Sequence, residues 1–233
     1  MNAIKILIIV TNINQYASGN LETGLWLSEL THLYHAAQAK GYDITIASPN
    51  GGNVPIDPES LKKMMLDKVS ENYLNDSSFM DLLKNSKSLK QIANEQFAVV
   101  YLAGGHGTMY DFPNDTTMQN IIAKQYEDGK IVSAICHGVG GLLNVKLSNG
   151  DYLIKNKTIT GFNWFEESLA KRKKEVPFNL EASLKERGAN YKKAFIPMTS
   201  YVKVDGNLIT GQNPFSSKEM AKVVMAEILK QVK

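Results

Sequence analysis

One cysteine, Cys136, serves all 233 residues. That excludes any internal disulfide and points to a reducing, cytoplasmic setting. Long hydrophobic runs are missing as well, so no segment is apolar enough over enough residues to cross a membrane. The run from Met1 to Val10 is short, carries one lysine and leads into Asn and Gln rather than a small-residue cleavage site, so it reads as a first buried strand and not a secretory leader. Charge of one sign is not in excess: the net charge is +3, too little to imply nucleic acid. The local run Lys171-Arg172-Lys173-Lys174 reads as a solvated helix end, with a phosphate-binding patch as the alternative. Neither a Gly-x-x-x-x-Gly-Lys phosphate loop nor a dinucleotide fingerprint occurs. There are no internal repeats, low-complexity tracts or interdomain linkers.

What is present is an ordinary globular composition, 43% hydrophobic and 21% charged, in a chain of one-domain length that can bury a sizeable core. Ile4–Val10, Asp43–Ser48, Phe97–Leu102 and Ile131–Ile135 read as strands of a parallel sheet. Helices are expected from about Thr23 to Lys40 with Gly41 as the stop, from Asp115 or Thr116 to Asp128 with Gly129 as the stop, over 166–174 and 179–187, and from about Ser217 to Gln231. Residues 151–160 read as a hairpin or edge ribbon, and Asp205-Gly206 marks a hairpin turn within 201–210. Residues 53–95 are polar, with helical patches at 59–66 and 78–83 and no strand signal, and are expected to form a helical insertion on the domain edge. Strands alternating with helices give an α/β class with helices on both faces of a mostly parallel sheet. Ligands bind such sheets at the carboxyl ends of the strands.

Two glycine-marked corners fall at that edge. The first is Ile131–Ile135 running into Cys136-His137-Gly138-Val139-Gly140-Gly141. A strand–turn–helix corner lifts one side chain out and aims free backbone N–H groups at it, which favours a thiolate nucleophile. The bland alternative is a small buried core cysteine. His137 is the candidate base, and Glu166 and Glu167 are equal candidates for the acid that orients it. The second corner is Gly104-Gly105-His106-Gly107, whose N–H groups, with that of His137 and the glycine turn at Gly138, are candidates for an oxyanion hole; His106 lines the pocket or caps the loop. Glu29 falls on the apolar stripe of the first helix, with Leu25, Trp26 and Leu33, so burial is expected to raise its pKa and keep it protonated near neutrality. His32 and His35 share that helix, but a metal site would need further ligands, and none are identified.

Together, Ala134-Ile135-Cys136-His137-Gly138, Ala103-Gly104-Gly105-His106-Gly107 and Leu27-Ser28-Glu29-Leu30 resemble the ThiJ/PfpI superfamily and, more narrowly, its glyoxalase III-like branch. Members of that branch are described as chaperones, protein deglycases and intracellular proteases or amidases. Thr23-Gly24, 107–113, 159–162 and 208–214 extend the resemblance over nearly the whole chain. It implies a flavodoxin-like three-layer sandwich, a single class I glutamine amidotransferase-like domain over residues 1–233, and a homodimer. It also implies Cys136 as nucleophile, His137 as its partner, Glu29 as a protonated acid, and Glu167 as third triad member at the family's spacing after the Thr-Gly-Phe corner.

The activity so implied is a cofactor-free, metal-free, glutathione-independent glyoxalase, formally a lyase of the D-lactate dehydratase type. Methylglyoxal, a small dicarbonyl, would add to Cys136 as a hemithioacetal and leave as lactate. Two rivals remain. One is a cysteine hydrolase of peptides, amides or glycated side chains. The other is a holding chaperone for misfolded clients, or a redox sensor, with little catalysis. A lid formed by 53–95 with Trp164 and Phe165 over a small pocket would favour the glyoxalase.

Overall fold

In the computed structural model, residues 4–231 are described; Met1–Ala3 of the expected first strand lie outside them. The strands are β1 (Lys5–Ile9), β2 (Asp43–Ser48), β3 (Lys87–Ser88), β4 (Val99–Leu102), β5 (Ile131–Ile135), β6 (Thr158–Ile159), β7 (Asn190–Tyr191), β8 (Val202–Asp205) and β9 (Leu208–Gly211). The α-helices are α1 (Leu27–Gln38), α2 (Lys68–Leu74), α3 (Ser77–Lys84), α4 (Leu89–Ile92), α5 (Thr108–Asp111), α6 (Thr116–Glu127), α7 (Trp164–Leu169), α8 (Leu180–Glu186) and α9 (Ser217–Gln231).

Seven strands form one sheet in the order β3-β2-β1-β4-β5-β9-β8, parallel throughout except for the β8–β9 hairpin. The central strands read as unbroken aliphatic runs because both faces are covered. Alternation along β1 sends Ile6 and Ile8 to one core with Leu30, Leu33 and Val224, and Leu7 and Ile9 to the other with Met118, Ile122 and Leu184. This is the α/β architecture with helices on both faces expected from the sequence.

The connection after β1 runs outward to β2 and the connection after β4 runs the opposite way to β5, so the loops after β1 and β4 part company at the carboxyl edge and open a crevice. Glu29 follows β1, Gly104–Gly107 follow β4 and Cys136 follows β5, so chain topology alone gathers the candidate residues there.

Four expectations need correction. The 53–95 segment is not purely helical: β3 extends the sheet edge by pairing in parallel with β2, Ala47 against Lys87 and Ser48 against Ser88. Two residues are too few to leave a periodic signal. Its first helical patch is only a 3-10 turn at Pro58–Leu61, while α2, capped by Asp67, was not anticipated. Residues 151–160 form no hairpin; β6 instead pairs in parallel with the distant β7. The helix expected over 166–174 stops at Leu169, because Lys171 adopts φ 57° and closes a Schellman turn.

Candidate active site

β5 delivers Cys136 at φ 57°, a left-handed conformation that a non-glycine residue adopts only under constraint. The following residues, Cys136–Leu142, form a buried 3-10 turn rather than the start of an α-helix. Three of its seven residues are glycine, the poorest helix former after proline. Gly138 is required by contact: a Cβ there would meet the Leu102 and Ala103 carbonyl oxygens at 2.7 and 2.8 Å. The missing side chain therefore lets the turn pack on the end of β4.

Cys136 is 2% exposed, and its Sγ lies 3.3 Å from His137 Nδ1. The His137 backbone N–H also donates toward the sulfur. On the far side of the ring, His137 Nε2 is 2.8 Å from Glu167 Oε2, and His106 Nε2 is 2.9 Å from Glu167 Oε1. One buried carboxylate thus bridges two imidazoles whose ring centroids are 4.0 Å apart. Burial alone would raise Glu167; the facing histidines outweigh it and hold the carboxyl well below the usual range. His106 is pushed down by burial and by His137 beside it, so it stays neutral. Its place is with Glu167, a contact the sequence did not reveal.

Of the two adjacent acids, Glu166 points elsewhere. It reaches back to the Asn163 N–H in a capping box at the start of α7, and its Oε1 accepts hydrogen bonds from Met198 N, Gln212 and Asn213. Glu166 ties loops together, and Glu167 faces the histidines.

Glu29 sits in the first turn of α1, because the helix begins at Leu27 and not near Thr23 as expected. The preceding segment is held in extended form by Leu25 N–H to Pro55 O, Asp57 N–H to Leu25 O and Trp26 N–H to Gly104 O. Glu29 is fully buried; its Oε2 accepts the Gly104 N–H at 2.8 Å, and Oε1 has no polar partner. The Cys136 thiol lies against this carboxyl. Burial pushes Glu29 from 4.5 up to about 8 despite the help of Cys136 and Gly104. Burial and the negative charge of an ionised Glu29 both push the Cys136 thiol up. The second push is absent while Glu29 keeps its proton.

Because the Gly104 N–H is occupied by Glu29, Gly104 is an anchor for the acid and not the oxyanion donor that the sequence allowed. A Cβ on Gly104 would fall 2.5 Å from Glu29 Oε2. Gly105 has φ 109°, and a Cβ there would fall 2.1 Å from Gly24 O and 2.7 Å from Trp26 N. Gly105→Ala is expected to destabilise the fold by about 3 kcal/mol or more, since neither backbone can yield. Chemical unfolding measures this directly, and a loss under 1 kcal/mol would show that the Gly24–Gly105 approach is not tight.

Cys136, His137 and His106 line a cavity of about 260 Å³ with Trp26, Phe162 and Met198 as apolar wall. Glu59 and Met65 of the 53–95 segment border it, as do Tyr16, Arg172 and Leu169. The segment therefore contributes part of the cavity wall. Trp164 and Phe165, expected as part of the lid, lie apart from it in a separate shallow depression. His32 and His35 are also outside: His32 pairs with Asp67, and His35 with the Tyr73 hydroxyl. Ligand atoms of His106, His137 and Glu167 lie within 4.8 Å of one another, a grouping able to take a metal ion that the sequence did not disclose. There an ion would have to displace both histidine–Glu167 bonds.

A model of the DJ-1/PfpI family matches residues 21–227. "Glyoxalase 3" of Candida albicans is 30% identical over 96% of this chain and 98% of its own length. The crystal structure of glyoxalase III from Candida albicans superposes with a TM-score of 0.86 at 30% identity, covering 96% of each chain. That of Rapid Encystment Protein 24 KDa from Francisella tularensis gives 0.92 at 40% identity, covering 97% of this chain and 99% of its own.

Proposed function

The chain belongs to the DJ-1/PfpI family, and from that premise we propose that it is a glutathione-independent glyoxalase that converts methylglyoxal to lactate. The observation that carries this reading is the pairing of the Cys136 thiol with a buried carboxyl whose pKa sits near 8, inside a small cavity. A nucleophile and a separate proton carrier are what an internal oxidation–reduction of a 2-oxoaldehyde needs.

The Cys136 sulfur adds to the aldehyde carbon, and Glu29 gives its proton to the resulting oxygen. This forms a hemithioacetal. Glu29, now a carboxylate, takes the hydrogen from that carbon as a proton and returns it to the neighbouring carbon. The electron pair left behind passes through an enediol, and the hydroxyl proton of the first carbon moves to the oxygen of the second; the first carbon becomes the thioester carbonyl and the ketone an alcohol, so no external oxidant or reductant enters. Water, deprotonated by His137 with Glu167 holding the ring, then cleaves the thioester to lactate and frees the sulfur. The backbone N–H of Gly105 is the donor we assign to the oxyanions, since that of His137 is already directed at the sulfur.

The small volume of the cavity, about 260 Å³, supports a small dicarbonyl over an extended peptide, which would need a longer cleft. We further propose that the lyase is of the D-lactate dehydratase type and works in the cytoplasm as a homodimer; Phe195 and Ile196, both exposed, support an interface with a second copy. The same exposed residues are what a holding activity toward misfolded clients would use. The reading is tested by incubating the protein with methylglyoxal without glutathione and assaying lactate. Formation in proportion to enzyme is expected. Methylglyoxal consumed with no lactate, or left untouched, contradicts it.

A further inference from the structure

Arg172 is the one member of the 171–174 basic run that borders the catalytic cavity. The cause is local. Lys171 N–H bonds to Ser168 O and Arg172 N–H to Glu167 O, the paired bonds of a Schellman turn, with Lys171 in the left-handed position that glycine normally fills. The turn that ends the helix of Glu167 therefore aims Arg172 at the same cavity.

Among the described residues, none grips this guanidinium in a bidentate pair. It lies 5.7 Å from the Tyr16 ring centroid, and its approach to Glu59 is 3.8 Å, beyond hydrogen-bonding distance. Glu59 is already held by Lys62, whose Nζ is 2.7 Å from both carboxylate oxygens. Two cations thus face one carboxylate at this wall, and Arg172, which spends part of its donor fork on the Tyr16 hydroxyl, keeps further N–H donors for a ligand.

Methylglyoxal has no use for it. A molecule of five heavy atoms fills on the order of 100 Å³, judged against about 30 Å³ for a water molecule, and so occupies less than half of the 260 Å³ cavity. Resting on the glyoxalase reading above, we infer that the cavity is shaped for 2-oxoaldehydes carrying an anionic group at the far end, with the aldehyde at Cys136 and the anion on Arg172. Glu167 and a Cys136 thiolate repel an anion at the opposite side, which fixes this orientation. Carboxylate and phosphate share the chemistry.

The experiment compares 4,5-dioxopentanoate with its neutral counterpart 2-oxopentanal. Wild type is expected to favour the carboxylate in kcat/KM by about tenfold or more, the worth of a charge-assisted hydrogen bond. Arg172→Gln is expected to bring the ratio near one, and Arg172→Lys to restore part of it. The same ratio is read from binding to Cys136→Ala with and without Arg172→Gln, which judges the inference even where turnover fails. Competition by glutarate and by inorganic phosphate tells the two anions apart. A wild-type ratio near one, or a ratio that survives Arg172→Gln, overturns the inference. Absence of turnover with the binding preference intact overturns the glyoxalase reading and leaves this one standing.

Discussion

Cys136→Ala is expected to form lactate from methylglyoxal no faster than a protein-free control, a loss of at least about 10⁴-fold. The size follows from the site's construction. The sulfur is the sole atom able to form the covalent bond that splits the reaction into an addition and a hydrolysis, and the chain has no second thiol to replace it. Truncation removes a single atom from a buried, 2% exposed position and leaves the Cβ and backbone of the turn in place. The fold should survive, so unfolding midpoints and the circular dichroism spectrum are expected to match wild type. Cys136→Ser should be as inactive, because an alcohol at this site has no comparable ionised form near neutrality. Residual lactate within tenfold of wild type would remove the sulfur from the mechanism.

Glu29→Gln is expected to lower kcat by about 10² to 10⁴-fold, the usual worth of a positioned general acid–base, with a much smaller change in KM. Glutamine keeps the volume and the acceptor for the Gly104 N–H at 2.8 Å, so the cavity is preserved while the transferable proton is lost. The pH dependence carries the sign. A folded pKa raised from 4.5 to about 8 by burial means that the acid holds its proton through neutral pH and loses it as pH rises through about 8. Wild-type kcat should therefore fall on the alkaline side, from about pH 8 upward, and Glu29→Gln should lack that limb. An unchanged alkaline limb in Glu29→Gln would assign it to another group and free Glu29 of the proton-carrier role.

Much of this arrangement is written in local patterns. The aliphatic runs 4–10 and 131–135 can be buried only in a sheet covered on both faces, and Gly41 and Gly129 each take positive φ just past the helices they follow. Placement of Glu29 on an apolar stripe foretold a buried carboxyl. What the chain did not disclose arises from distance in sequence. The helix of Glu29 starts late because its lead-in pairs with Pro55 and Asp57, and β3 exists only because β2 offers an edge. No periodicity reports either fact. His106 meets Glu167 across 61 positions, beyond any motif. The choice between Glu166 and Glu167 was in principle legible: Asn163-x-x-Glu166 is a capping-box spacing, which engages the first acid and leaves the second for the histidines. Arg172 looked like one solvated base among four because the left-handed turn at Lys171 breaks the usual preference for glycine there.

The account stands on Cys136 ionising while its neighbour Glu29 keeps a proton. The direct measurement is the rate of Cys136 alkylation by iodoacetamide as a function of pH, in wild type and in Glu29→Gln. With Glu29 neutral, its charge no longer opposes the sulfur anion; burial and the charge of Glu166 still do, and the His137 N–H supports it. The mechanism requires a donated hydrogen bond from neutral Glu29 to outweigh the upward push of burial, so it predicts a midpoint below the ordinary thiol value of about 8.5, and the amide, which still donates, should keep it there. A midpoint above about 8.5 in both proteins would mean that burial governs the sulfur, and a resting thiol of that kind contradicts the mechanism.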